Sequence, residues 1–270
     1  MSQAGEIYTH GHHESVVSQH AERTAAEAAA FLLPMLKPGM RVLDFGCGPG
    51  TITVGLAEAV APGEVVGIDI SDDVISQARE HASSKGVTNV SFTAGNVYDL
   101  PYEEASMDAA YAHQVLQHLA RPAEALSEIR RLLKPGGFVG VREVDWGATA
   151  VSPVDARLER FMEVYHEVSR RNGGNADAGR YVREWLVQAG FSDHRLTTST
   201  WTFADPASTQ KWGDSWATRI VKSSLAKKAV EYGIATPADL EEMSAGWREW
   251  GRSPTAFFSF IHVEGVGWKR

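Results

Sequence analysis

The stretch Val42-Leu43-Asp44-Phe45-Gly46-Cys47-Gly48-Pro49-Gly50 decides how this chain is read. A short apolar run ends in an acid, and glycines then follow at alternate positions before Thr51 opens a helical pattern. Glycine tolerates positive φ and carries no Cβ, so such a turn lets a ligand lie against bare backbone. The helix behind it aims unsatisfied N–H groups at the same place, which suits a nucleotide. A dinucleotide fingerprint, Gly-x-Gly-x-x-Gly, begun at Gly46 needs its third glycine where the chain has Thr51, and the match from Gly48 fails too.

Outward from the turn, residues 22–36 predict an Ala-rich amphipathic helix stopped by Lys37-Pro38-Gly39. Strands are predicted at 41–45, 65–70, 89–94, 107–112 and 138–144, with helices at 52–60, 71–84 and 122–133 between them. Strands that alternate with helices imply an α/β fold with a parallel sheet covered on both faces. After Asp145 the pattern turns helical, over 153–172 and 179–189, before a strand at 195–203. Helical patterns at 206–233 and 237–251 follow, and the apolar alternation of 256–266 predicts a closing edge strand. The chain thus divides into an N-terminal lid and helix (1–36), a nucleotide-binding core (37–150) and a helical cap and substrate region (151–270) that also holds the last two strands. The rival reading makes the helical part a separate domain with no role at the site.

The chain has 270 residues, 43% hydrophobic and 22% charged, enough for one large core with a cap. Its net charge of -8, without long single-sign runs, argues against a nucleic-acid partner, which needs a concentrated basic face. A small molecule is the expected partner. Cys47 is the single cysteine, so neither an intrachain disulfide nor a cysteine zinc cluster can form. There is no run of about 18 apolar residues, and the first 15 residues are polar, so no membrane span or secretory leader is expected. These features predict a cytoplasmic protein, monomeric or homodimeric.

Acids stand at successive strand ends. Asp44 precedes the glycines, where a carboxylate can pair with an ammonium group. Asp69 closes the next strand, where a carboxylate can accept both hydroxyls of a ribose, and Ile70 beside it can pack on a base. After the third strand, Asn96 offers its amide to the base edge and Val97 a backbone contact.

In these residues and their order, residues 41–143 resemble the class I S-adenosylmethionine-dependent methyltransferases, the broad family that includes ubiquinone and menaquinone biosynthesis enzymes. The resemblance carries the glycine motif onto Asp44, Gly46, Gly48 and Gly50, the ribose acid onto Asp69 and the adenine position onto Asn96. It places the segment after strand four at His113 to Leu119, and Leu132-Leu133-Lys134-Pro135-Gly136-Gly137 is similar to the family's turn into strand five. One departure is Asn96, where the family often has Asp. The resemblance implies a Rossmann-like sheet of seven strands, the last antiparallel, with a helical cap inserted among the late strands. It also implies S-adenosylmethionine bound over the turn, with S-adenosylhomocysteine as product. Cys47 belongs with the cofactor contacts as a small packing residue rather than a nucleophile.

A sulfonium methyl is already activated, so transfer asks mainly for alignment and exclusion of water, with a base where the acceptor must lose a proton. His118 is the preferred base and His113 the second candidate, with Gln114 expected beside the cofactor and Gln117 beside substrate. The alternative has one histidine on cofactor and the other on a loop carbonyl. The segment Tyr8-Thr9-His10-Gly11-His12-His13-Glu14 is aromatic and His-rich. Related small-molecule enzymes close an N-terminal helix over the cofactor, which implies Tyr8 or Arg23 near the methionine carboxylate and His12 or Glu14 facing substrate, Glu14 as a further catalytic candidate. A solvated tail is the alternative to such a lid, and a metal site there lacks ligand spacing, so no metal is expected.

Glu143, Asp145 and Trp146 follow strand five at the edge of the sheet where ligands sit. Trp212, Trp216 and Arg219 share one helical face, on which an aromatic acceptor can stack or which simply packs the cap. The expectation is methylation at O, N or C of a small aromatic or heteroaromatic metabolite, in secondary metabolism. The rivals are a nicotinamide-dependent oxidoreductase and a non-catalytic cofactor-binding protein.

Overall fold

The computed structural model describes residues 23–270. Tyr8, His12 and Glu14 lie outside the described residues. Seven strands form one sheet: β1 (Arg41–Phe45), β2 (Glu64–Asp69), β3 (Val90–Ala94), β4 (Met107–His113), β5 (Leu133–Ser152), β6 (Asp193–Phe203) and β7 (Phe257–Trp268). Their order is β3-β2-β1-β4-β5-β7-β6. β1 to β5 pair in parallel, whereas β7 runs antiparallel to both β5 and β6. The order reverses at β1, between β2 and β4, and the ligand crevice of an open α/β sheet lies at such a switch point.

The sheet is covered on both faces because its central strands are apolar throughout. Helices α1 (Ala25–Ala28) and α2 (Thr51–Val60) bury Leu56, Ala57 and Val60 against Val42, Val65 and Tyr111. On the opposite face α4 (Pro122–Leu132) and α6 (Val182–Gln188) pack Leu126, Ile129 and Leu186 on Leu43, Phe45 and Val139. Helix α3 (Asp72–Ser84) is capped by Ser71, whose hydroxyl accepts from Val74 N, and carries Asp72 and Asp73 in its first turn, where the helix dipole favours anions.

Helices α5 (Ala156–Arg171), α7 (Pro206–Lys222), α8 (Ser224–Glu231) and α9 (Pro237–Gly251) build the cap. Its core is aromatic. Trp146, Phe161, Tyr165, Trp212, Trp216, Trp247 and Trp250 close on Phe258 and Phe260 of β7. Helix α9 starts on a reciprocal cap in which Thr236 and Asp239 each satisfy the other's backbone N–H, with Pro237 at its first turn. Among the described residues no helix is long and apolar enough to cross a membrane.

Four sequence expectations change. The helix predicted over 22–36 shrinks, within the described residues, to α1 and a 3-10 turn at Leu33–Met35. Pro34 has no N–H to continue a helix, and Leu32 is drawn into the sheet where Gly140 leaves room for its Cδ1. The helix predicted over 206–233 breaks at Ser223, whose ψ of 177° is extended, between α7 and α8. The strand predicted as a closing edge is interior, because β7 sits between β5 and β6 and leaves β6 at the edge. β5 also outruns its predicted 138–144, since its far half pairs with β7 through an irregularity between Asp145 and Ala150.

The cap core includes Val144, Trp146, Phe258 and Phe260 from the sheet itself, which argues against an independent helical domain. Trp247, 1% exposed, sits inside it. Trp247→Ala is expected to cost about 3 to 5 kcal/mol of stability and to leave a single unfolding transition in urea, followed by fluorescence and circular dichroism together. Separate transitions for the two probes would refute the shared core.

Candidate functional site

The glycine turn takes the left-handed backbone that its sequence predicts. Gly46, Gly48 and Gly50 have φ of +72°, +55° and +78°. A Cβ on Gly46 would lie 2.3 Å from Cγ2 of Val115, so that glycine seats the turn against the segment after β4. A Cβ on Gly48 would meet nothing within 4 Å, so there the backbone faces open space. Helix α2 begins at Gly50 with no side-chain cap. An acceptor-rich ligand can fill that role.

Asp69, at the end of β2, accepts from Gly48 N at 3.1 Å and from Ser71 N at 3.2 Å, which ties the turn to the second strand. Asp44 is buried and accepts the Thr53 hydroxyl at 2.6 Å. Burial pushes its carboxyl up to about 7, against the Thr53 hydrogen bond, with the Asp69 charge adding to the rise. The Cys47 thiol is pushed well up by its burial and by the charges of Asp44 and Asp69, so it is no nucleophile. Ile70 is 70% exposed, an unusual setting for a large apolar side chain. Asn96 is exposed, and its Oδ1 accepts from Tyr98 N in a turn after β3. Val97 packs on the core beneath β1 and β4.

The segment after β4 is held by one carboxyl. Glu143 accepts from Val115 N at 2.9 Å, Leu116 N at 2.8 Å and Gln117 N at 3.3 Å. Burial raises it to about 7, although those three backbone hydrogen bonds and Arg142 favour the charged form. Glu143, expected at substrate, is instead a positioning residue for the loop. Gln117, also expected at substrate, is buried; its Nε2 donates to Gln114 O at 3.4 Å and lies 3.2 Å from His118 Nε2. Gln114 itself takes a φ of +56°.

His118, the preferred base, has its imidazole lowered to about 3 by burial and by the Arg23 charge. It is neutral at pH 7 but weakly basic, far from the value that favours general-base catalysis. His113 is buried, 5.9 Å from the Trp201 ring and 6.0 Å from that of His262. Trp146 and Trp216, expected to touch substrate, are engaged inside the cap. Trp146 lies 4.9 Å from Tyr165 and 5.3 Å from Phe260, and Trp216 4.9 Å from Phe161. Arg219, 3% exposed, lies 5.2 Å over the Trp216 ring. That stripe packs the cap. Asp145 holds Arg180 through two oxygens, at 2.7 and 2.6 Å.

Sequence reasoning missed a polar row under the cap. Arg142 on β5 faces Glu264 on β7, which in turn faces Thr197 on β6. Glu264 accepts from Ser199 at 2.6 Å and Thr197 at 2.8 Å, and Arg142 Nη2 donates to Ser199 at 3.0 Å. Arg23 joins from the N-terminal side: it donates to Gln114 Oε1 at 2.9 Å and lies 5.4 Å over Trp201. The visible signal was charge inside apolar strands, Val141-Arg142-Glu143-Val144 and His262-Val263-Glu264.

The methyltransferase domain family matches residues 36–190. An uncharacterised methyltransferase of Schizosaccharomyces pombe is 35% identical over 213 residues, 76% of each chain. A demethylmenaquinone methyltransferase of Staphylococcus aureus is 37% identical over 61% of this chain and 73% of its own. In structure, phosphoethanolamine N-methyltransferase 2 of Haemonchus contortus, in complex with S-adenosyl-L-methionine, superposes on 98% of this chain and 55% of its own. Its TM-score is 0.55 at 16% identity, which shows the shared fold.

The Glu143 clamp has a pH signature. Its folded pKa, about 7, lies above the unbound value of 4.5, so its stabilising share is complete below about pH 4.5 and is lost as pH rises through 7. The stability of the wild type relative to Glu143→Gln is therefore expected to fall by up to about 3 kcal/mol between those limits, measured by denaturant unfolding across pH. A flat or rising difference would contradict the assignment.

Proposed function

This chain belongs to the methyltransferase domain family, and from that premise we propose that it transfers the methyl group of S-adenosylmethionine to a small aromatic or heteroaromatic acceptor. Family membership sets aside the nicotinamide and non-catalytic readings. The observation that supports the cofactor is the turn: backbone at Gly48 facing open space, ringed by Asp44, Asp69 and Gln114 from the ends of three strands.

These residues fit the nucleoside. Asp69 would exchange its bonds with the Gly48 and Ser71 amides for ribose hydroxyls, and the exposed face of Ile70 would cover adenine, with Asn96 and Val97 at its edge. Arg23 and Gln114 would hold the amino-acid end, Arg23 supplying a cation for its carboxylate. Asp44, half-protonated near pH 7, would ionise fully beside the ammonium.

When bound, S-adenosylmethionine supplies an electrophilic methyl on a cationic sulfur. The chain then has to align the acceptor and keep water out. The aromatic cap excludes water, and the Glu143 clamp fixes the Val115–Gln117 backbone beside the site. Neither His113 nor His118 is required as a base where the acceptor enters already ionised.

Calorimetry of the full chain with S-adenosylhomocysteine is expected to show saturable binding, weakened about tenfold or more in Asp69→Ala. Methyl-labelled cofactor with a panel of aromatic acceptors then reads transfer directly. No binding at millimolar S-adenosylhomocysteine would sink the proposal.

A further inference from the structure

Two buried donors in the polar row have no acceptor among the described residues: Nη1 of Arg142 and Nδ1 of His262. Arg142 is 1% exposed and His262 0%. They stand on adjacent strands, Arg142 opposite Glu264 and His262 opposite Val144, and so share one face of the sheet.

The proton on His262 is placed by a chain of hydrogen bonds. Arg23 Nη2 donates to Gln114 Oε1 at 2.9 Å, which orients the amide. Gln114 Nε2 is then the donor across the 2.8 Å contact to His262 Nε2. His262 Nε2 accepts, so its proton lies on Nδ1. The ring stays neutral, because burial and the charges of Arg142 and Arg23 hold it down at about 2. It is a fixed donor rather than a base.

Arg142 is likewise committed everywhere but at Nη1. Its Nη2 donates to Ser199, and its Nε lies 3.4 Å from both Ser199 Oγ and Glu264 Oε1. Glu264 is held in place by Thr197 on one oxygen and Ser199 on the other. Among the described residues the one ion pair of Arg142, from Nε to Glu264 Oε1, is long at 3.4 Å. The Trp201 ring stands among them, 5.2 Å from Arg142 and 4.6 Å from His262. Buried donors without acceptors are rare in folded proteins because each forfeits its hydration. A charged and a neutral donor on one face of the sheet call for an oxygen acceptor, and the guanidinium favours one that carries negative charge.

We propose that Arg142 Nη1 and His262 Nδ1 bind an oxyanion of the methyl acceptor, a carboxylate, enolate or phenolate oxygen, with Trp201 as the wall beside it. The acceptor is thereby an acidic aromatic or enolic molecule rather than a neutral or cationic amine. This assignment deepens the methyltransferase reading and rests on it.

Naphthalene-2-carboxylate, naphthalene-2-carboxamide and 2-naphthol are titrated into the full chain, with and without S-adenosylhomocysteine, by calorimetry and by imidazole ¹⁵N resonance. The carboxylate is expected to bind about tenfold or more tightly than the amide and to shift the His262 Nδ1–H signal; binding of 2-naphthol above the amide assigns a phenolic oxygen as well. The preference is expected to vanish in Arg142→Lys, which keeps a cation facing Glu264, and in His262→Phe, which keeps the ring volume. Equal affinity for carboxylate and amide overturns the proposal, as does a preference that survives in both folded variants. If S-adenosylhomocysteine fails to bind while the carboxylate preference stands, the cofactor assignment falls and the oxyanion subsite remains.

Discussion

The contact between Gly46 and Val115 is the constraint on which the site depends. The turn after β1 needs left-handed backbone, and a Cβ at Gly46 would lie 2.3 Å from the Val115 side chain. Only glycine meets both demands. Through that contact the turn is braced against the segment after β4, which Glu143 holds from β5. Through the bond from Gly48 to Asp69 it is braced against β2. Four strand ends are thus tied into one rim around the switch point of the sheet, and the open side of Gly48 is what remains for a ligand.

Above the rim, the cap separates two kinds of interior. Its own core is aromatic, closed by rings from three helices and from β5 and β7. On the same face of the sheet, next along β5 and β7 from that core, lies the polar row of Arg142, Glu264 and His262, with Gln114 and Arg23 beside it. Buried polar groups of this kind cost stability wherever a partner is absent, so their persistence points to use rather than packing.

The buried titratable groups also balance. Asp44 and Glu143 are raised to about 7, while His118 and His262 are lowered to about 3 and 2. At pH near 5.5 the folded chain keeps protons on its buried carboxyls and withholds them from its buried imidazoles, and the two proton linkages act in opposite directions. The same burial causes both, because each group is forced toward its neutral form.

Most of the first half of the chain is legible in the sequence. Local signals decide it: glycines at alternate positions, acids at strand ends, and Pro-Gly breaks set β1 to β4 and their helices within a residue or two of where they lie. Asp44, Asp69 and Gln114 reach one rim because parallel strands deliver their carboxyl ends to the same edge. The second half was legible as a cap of helices but not in its joints, since the break at Ser223 and the interior place of β7 follow from long-range packing. The roles of individual side chains went the same way. Periodicity marks Trp216 and Glu143 as inward, yet not whether inward means substrate, core or a neighbouring loop. Register across β5, β7 and β6 alone brings Arg142, His262, Glu264 and Trp201 together from positions up to 122 residues apart. Sequence determined the turn and its chemistry because both are local; the acceptor side was decided by tertiary structure, because it is assembled from strands that meet only in the folded sheet.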